Sequence, residues 1–174
     1  MSRDEQAAAD HALIESKQML LGWLAAKRAH VREQVEAMAE HDRRASRLPS
    51  GWTPLGLVRH LTLDVERFWF RAVLVGEQVD LPEGYEGWTA DASSSSAEVL
   101  AAYAEECRVV DALIADLPMD QPPAWWPMEG DPPFGSLHEL LVHVLVETAT
   151  HAGQLDVARE LADGGQRLVF DTPD

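Results

Sequence analysis

His143, Glu147 and His151 recur every four residues within one amphipathic stretch, LHELLVHVLVETATHAGQLDVAREL, over residues 137–161. On an α-helix, residues four apart stack on one face with Cβ atoms about 6 Å apart. Two side chains at that spacing reach one metal ion from the same side. Leu140, Leu141, Val144, Leu145, Ala149, Leu155 and Val157 lie alongside, so the polar column borders a buried face. A buried ionisable group must be paired, neutralised or bound to a metal. His143 and His151 are two turns apart, about 12 Å along the axis. His143 therefore stands outside a shell built on Glu147 and His151, or replaces His151 as the partner of Glu147.

A pair from one helix encloses an ion only with a third ligand from another, and the rest of the chain offers facing helices. Leu13, Met19, Leu20, Trp23, Leu24, Val31, Val35 and Met38 fall at three- and four-residue spacings and predict a first helix over 12–41. His11, His30 and His41 sit among its charged residues and read as surface groups. Pro49-Ser50-Gly51 breaks the chain. Thr53-Pro54, a capping hydroxyl before a proline at the first helical position, opens a second helix over 54–75 that stops at Gly76. His60 lies one residue from its apolar stripe, the position of a core-boundary histidine or of the missing ligand. With two histidines and a carboxylate, the set would suit Zn(II), Ni(II) or Fe(II) and keep positions open for water or substrate.

Residues 78–94 read as a loop that packs through Tyr85 and Trp88. Ser95 with Glu98 forms a capping box and opens a third helix over 97–117. Cys107, inside it, reads as a small buried hydrophobe. Residues 118–135 form a second long loop, and loops of that size cover something or do something. Its Trp125-Trp126 pair either walls a pocket or plugs the end of the bundle. Ser136 with Glu139 caps the last helix, which ends near Gly164-Gly165. Leu168-Val169-Phe170 then adds to the core or to a contact between two copies in a homodimer. Four amphipathic helices without strand alternation predict an all-α four-helix bundle with two long loops, in a single domain over 1–174.

The chain of 174 residues carries 14 Lys plus Arg against 30 Asp plus Glu, a formal −16. Such a charge repels phosphate backbones and anionic lipid, which excludes nucleic acid and membrane as natural partners. One cysteine rules out an intrachain disulfide, and no apolar run approaches the ~20 residues of a membrane span. With a polar N-terminus, these features predict a cytoplasmic protein.

Gly51-Trp52-Thr53-Pro54 … His60 together with Glu147-x-x-x-His151-Ala-Gly-Gln resembles the DinB/YfiT-like superfamily of metal-binding four-helix bundles, from the first helix to about residue 160. In most of that superfamily three histidines bind the ion, one on the second helix and an H-x-x-x-H pair on the last. Here Glu147 stands in place of the first histidine of that pair. The same replacement marks the branch resembling mycothiol-dependent maleylpyruvate isomerase, so the resemblance implies His60, Glu147 and His151 as metal ligands. It also implies a transferase or isomerase that uses a low-molecular-weight thiol of the mycothiol or bacillithiol type. The ion would deprotonate the thiol, and no further catalytic side chain is required. A metal-dependent hydrolase with an activated water remains the alternative enzyme. A non-enzymatic bundle that binds a metal or small molecule is the other, and splayed ligand side chains would be its mark.

Overall fold

The structure, a computed structural model, describes residues 3–167, with side chains from residue 12 onward. His11 and the 168–170 apolar tail lie outside the described side chains. Five α-helices are present: α1 (Arg3–Ala37), α2 (Glu40–Arg43), α3 (Pro54–His60), α4 (Ser96–Ile114) and α5 (Leu137–Asp163). Residues Leu61–Leu74 continue α3 as a π-helix, and the described residues contain no strand. The long elements form the expected four-helix bundle.

Side-chain pairs set the directions of the helices. His30 meets Asp156 and Gln34 meets Arg159, so α1 and α5 run parallel. Lys17 donates to the carbonyls of Ile114, Ala115 and Leu117 at the end of α4, while Ser96 at its start donates to Glu40. These contacts make α4 antiparallel to α1. His60 faces His151 and Trp69 faces His143, so the 54–74 helix is antiparallel to α5. The first long loop is the consequence: 54–74 and α4 are neighbours in sequence that run parallel, so their connection must cross the length of the bundle, whereas α4 and α5 are antiparallel.

Thr53 caps α3 through its hydroxyl, which accepts from the Gly56 N–H at 3.0 Å. The expectation of a uniform α-helix over 54–75 is corrected. At the junction the Leu61 N–H is shared between the Leu57 and Val58 carbonyls. The Thr62 hydroxyl donates to the Val58 carbonyl at 2.8 Å, loosening the α pattern from inside the helix. Ser95 and Glu98 form the predicted capping box. At α5 the box is shifted: Ser136 accepts from the Glu139 N–H, but Glu139 reaches back to the Gly135 N–H. Gly164, left-handed at φ 76°, ends α5 as expected.

Three other expectations need correction. The first helix stops at Ala37, and Glu40–Arg43 forms a separate turn. Leu20, Leu24, Val31, Val35 and Met38 are buried, but Leu13, Met19 and Trp23 of the same expected stripe are exposed, as is Val157 on α5. Met19 and Trp23 each precede a buried leucine by one residue, which rotates them about 100° away from the core. His30 is not a surface group; it is buried and donates through Nε2 to Asp156 at 2.7 Å.

Beneath the apolar core lies a buried charged layer. Arg28 makes two parallel bonds to Glu66, at 2.7 and 2.6 Å, and a third to Asp111 at 2.6 Å. Arg67 and Arg71 both donate to the buried Glu106. Cys107 lies beside this layer, where burial pushes its thiol well up from the ordinary range, as expected of a packing residue.

The ion pair generates the first prediction. Glu66→Gln should cost about 3–5 kcal/mol in urea unfolding, because the buried Arg28 would lose its buried, bidentate carboxylate and keep only the half-exposed Asp111. Replacing both residues with apolar ones of similar size should recover most of that loss. A Glu66→Gln protein as stable as wild type would show that the pair does not hold the helices.

Candidate metal centre

His60 stands at the end of α3, and Glu147 and His151 stack one turn apart on α5. The antiparallel packing of the two helices brings all three to one point. One ligand atom from each lies within 4.8 Å of the others, the only such His, Cys, Asp and Glu grouping of three or more found among the described residues. His151 Nε2 and Glu147 Oε2 are 3.4 Å apart. His60 and His151 meet edge to face at a centroid distance of 5.0 Å. The histidine side chains are mostly buried, and Glu147, 39% exposed, forms the open side.

A second set of side chains fixes the rings. His60 Nδ1 lies 2.8 Å from the Asp64 carboxylate, and a carboxylate can only accept, so Nδ1 carries the proton and Nε2 its lone pair. His151 Nδ1 donates to Gln154 Oε1 at 2.9 Å, which again leaves Nε2 as the free donor atom. Such outer partners orient metal-binding histidines and raise their basicity. Trp88 stacks on His60 at 3.9 Å with an interplanar angle of 14° and holds its plane. Trp88 itself is seated by two glycines. A Cβ on Gly56 would meet the Trp88 carbonyl at 2.1 Å, and a Cβ on Gly87 would meet Asp64 Oδ2 at 2.0 Å. The 78–94 loop thus packs onto the cluster, as Trp88 in the sequence led us to expect.

His143 does not join the cluster. Its ring lies against Trp69 at 4.9 Å and Phe134 at 4.5 Å, one turn from Glu147. Trp126 stacks on Trp69 at 5.8 Å, whereas Trp125 is exposed. Spacing could have revealed Asp64, and the orienting role of Gln154 in the quoted motif: H-x-x-x-D at 60/64 and H-x-x-Q at 151/154 are the one-turn geometries for a ring nitrogen and its orienting acceptor. Nothing local marked Trp69 and Phe134, which meet His143 only through the packing of three segments.

The residues fit a divalent cation. A ring nitrogen without a proton and a carboxylate oxygen face each other at 3.4 Å, close to the spacing of neighbouring ligands about 2.1 Å from a tetrahedral ion. A second such nitrogen comes from His60. These lone pairs repel unless a cation lies between them. A proton is the weaker occupant, because burial pushes His151 below its ordinary 6.5 against the opposing pull of Gln154 and Glu147, and a proton on His60 would push it the same way. Burial likewise lowers His143, with Glu147 opposing.

In metal-free protein, nitrogen-detected NMR should find His60 and His151 as Nδ1–H tautomers. His151 and His143 should titrate below 6.5. The unfolded chain then binds protons more readily, so these two groups should make stability fall as pH drops from 6.5 towards their folded values. An Nε2–H tautomer at His151 would remove the argument for a cation.

Among the described residues, no helix is long and apolar enough to cross a membrane. No curated protein and no solved structure gives a significant match to the chain. The family model described as Mycothiol-S-transferase matches residues 19–164, an interval that holds α3, α4, α5 and every residue of the cluster. With most of its length matched and the bundle in place, the chain belongs to the mycothiol-S-transferase family.

Proposed function

We propose that the protein transfers a low-molecular-weight thiol of the mycothiol type to an electrophile, with a divalent ion held by His60, Glu147 and His151. The observation that carries the reading is the set of converging lone pairs on the two Nε2 atoms and the Glu147 carboxylate, each ring locked by an acceptor on its far side. Splayed side chains would have favoured a non-enzymatic bundle, and these do not splay. The family match adds the thiol.

A divalent ion bound there supplies the positive charge that converts a coordinating thiol to its thiolate near neutral pH. The chain's own residues do the rest. Asp64 and Gln154 hold both imidazoles in the tautomer that presents Nε2. Trp88 and the apolar residues of α3 and α5 exclude water from the inner side, and the exposed side of Glu147 leaves the approach for the thiol and its acceptor. In the transfer, the sulfur pair forms the new S–C bond while the leaving group departs with the electrons of its C–X bond. The thiol proton passes to solvent. No protein nucleophile is needed, in keeping with a buried Cys107 whose thiol is pushed up by burial.

Zn(II), Ni(II) and Fe(II) all suit this ligand set. Chelated protein, incubated with mycothiol and 1-chloro-2,4-dinitrobenzene, should regain activity on addition of one of these ions. Glu147→Gln and His151→Ala should lower ion affinity at least about tenfold in calorimetry, and Asp64→Asn by a similar factor through loss of ring orientation. His143→Gln should leave ion binding nearly intact. Full activity after chelation, or a binding defect in His143→Gln with none in His60→Ala, would refute the assignment.

A further inference from the structure

One turn from Glu147 towards the start of α5, an open groove of ≈ 510 Å³ is lined by Phe134, His138, Glu139, Val142, His143 and Val146. Its volume is that of a small-molecule site. Phe134 and His143 line the groove itself, and Trp69 and Trp126 pack behind them. Phe134 lies tilted on His143, both meet Trp69 edge to face, and Trp69 stacks on Trp126. These rings come from the 54–74 helix, the 118–135 loop and α5, so the stack exists only in the folded chain. The thiol-binding reading does not use it.

Charge decides what the groove can accept. Its acidic group is the carboxylate of Glu139, which shares the lining with the imidazoles of His138 and His143, and Glu147 lies one turn beyond. The arginines of the 54–74 helix are engaged elsewhere. Arg59 donates to the Glu86 carbonyl at 3.4 Å, Arg67 is held by Glu106, and Arg71 by Glu77 and Glu106. The chain as a whole carries −16. An anionic substrate entering here would meet two carboxylates and no unengaged arginine from this helix. An uncharged ring would meet faces and edges suited to aromatic packing.

We infer that this groove binds the electrophile and selects an uncharged, flat, aromatic or similarly unsaturated acceptor over a carboxylate-bearing one. The inference rests on the thiol-transfer reading for its chemistry, but not for its binding. The groove would place the acceptor carbon near the open side of Glu147, where the thiol sulfur is delivered. The C–S bond would form there as the leaving group departs with its electron pair. A dicarboxylate substrate, as in an isomerase of small diacids, is disfavoured by the same charges.

The test uses binding without reaction. 2,4-Dinitrotoluene, which has the shape of the acceptor and no leaving group, is titrated into chelated and ion-loaded full-length protein and followed by tryptophan fluorescence. 2,4-Dinitrobenzoate is its charged counterpart. Saturable quenching by dinitrotoluene should occur with and without the ion, and dinitrobenzoate should bind about tenfold more weakly, equivalent to ~1.4 kcal/mol. Phe134→Ala should raise the dinitrotoluene Kd about tenfold. Should that variant fold poorly, Val142→Lys supplies the check. Val142 is exposed on the groove, and the added cation should improve dinitrobenzoate binding without unfolding the helix. Absence of saturable quenching, equal affinity for the two probes, or no response to either variant would overturn the inference. A failed metal reading would instead appear as absent ion binding with dinitrotoluene binding intact.

Discussion

The bidentate pair between Arg28 and Glu66 sets the rotation of the helix on which the candidate centre depends. Both partners are buried, and the bond joins α1 to the 54–74 helix, with Asp111 of α4 as a third member. A guanidinium and a carboxylate removed from water are tolerable only in close, fully bonded geometry. The helix therefore cannot turn about its axis without leaving a bare charge in the core. Glu66 and His60 are six residues apart, roughly a third of a turn around the helix surface. Holding Glu66 towards α1 and α4 holds His60 towards α5. The winding changes from α to π directly after His60, and π segments recur at functional sites.

The cluster on the other side shows how a bundle brings candidate metal ligands together. α5 contributes two ligand candidates by local periodicity, and a facing helix contributes the third. The same helices also supply Asp64 and Gln154, each one turn or less from the ring it orients. Burial works in the same direction, since a desolvated His151 stays neutral and keeps its lone pair available. Trp88 arrives from a loop, and its position depends on Gly56 and Gly87, where any larger side chain would collide with backbone or with the Asp64 carboxylate. The long loop after the second helix is thus part of the centre's construction.

The proposed thiol chemistry draws on family membership and on this geometry for different parts. Sequence similarity names the thiol, and the facing lone pairs call for a cation. Neither speaks to the acceptor. The acidic surface, the engaged arginines and the ring-lined groove do, and they favour an uncharged partner.

The helices and their ends were legible in the sequence because those signals are local: apolar spacing, Thr53-Pro54, the Ser95/Glu98 box and Gly164 act over one or two turns. Glu147 and His151 were legible as a pair for the same reason, since four residues make one turn whatever lies around them. His60 was legible only through the resemblance, as a single histidine beside an apolar stripe carries no spacing of its own. Tertiary structure alone decided the remainder. Trp23 and Met19 fall outside the core because helix rotation, not hydrophobicity, chooses the buried face. His30 is buried because α5 runs parallel to α1 and carries Asp156 to it. The stack of Trp69, Trp126, Phe134 and His143 joins residues as distant in sequence as Trp69 and His143, and no local pattern encodes which rings meet when an antiparallel pair of helices is closed by a loop.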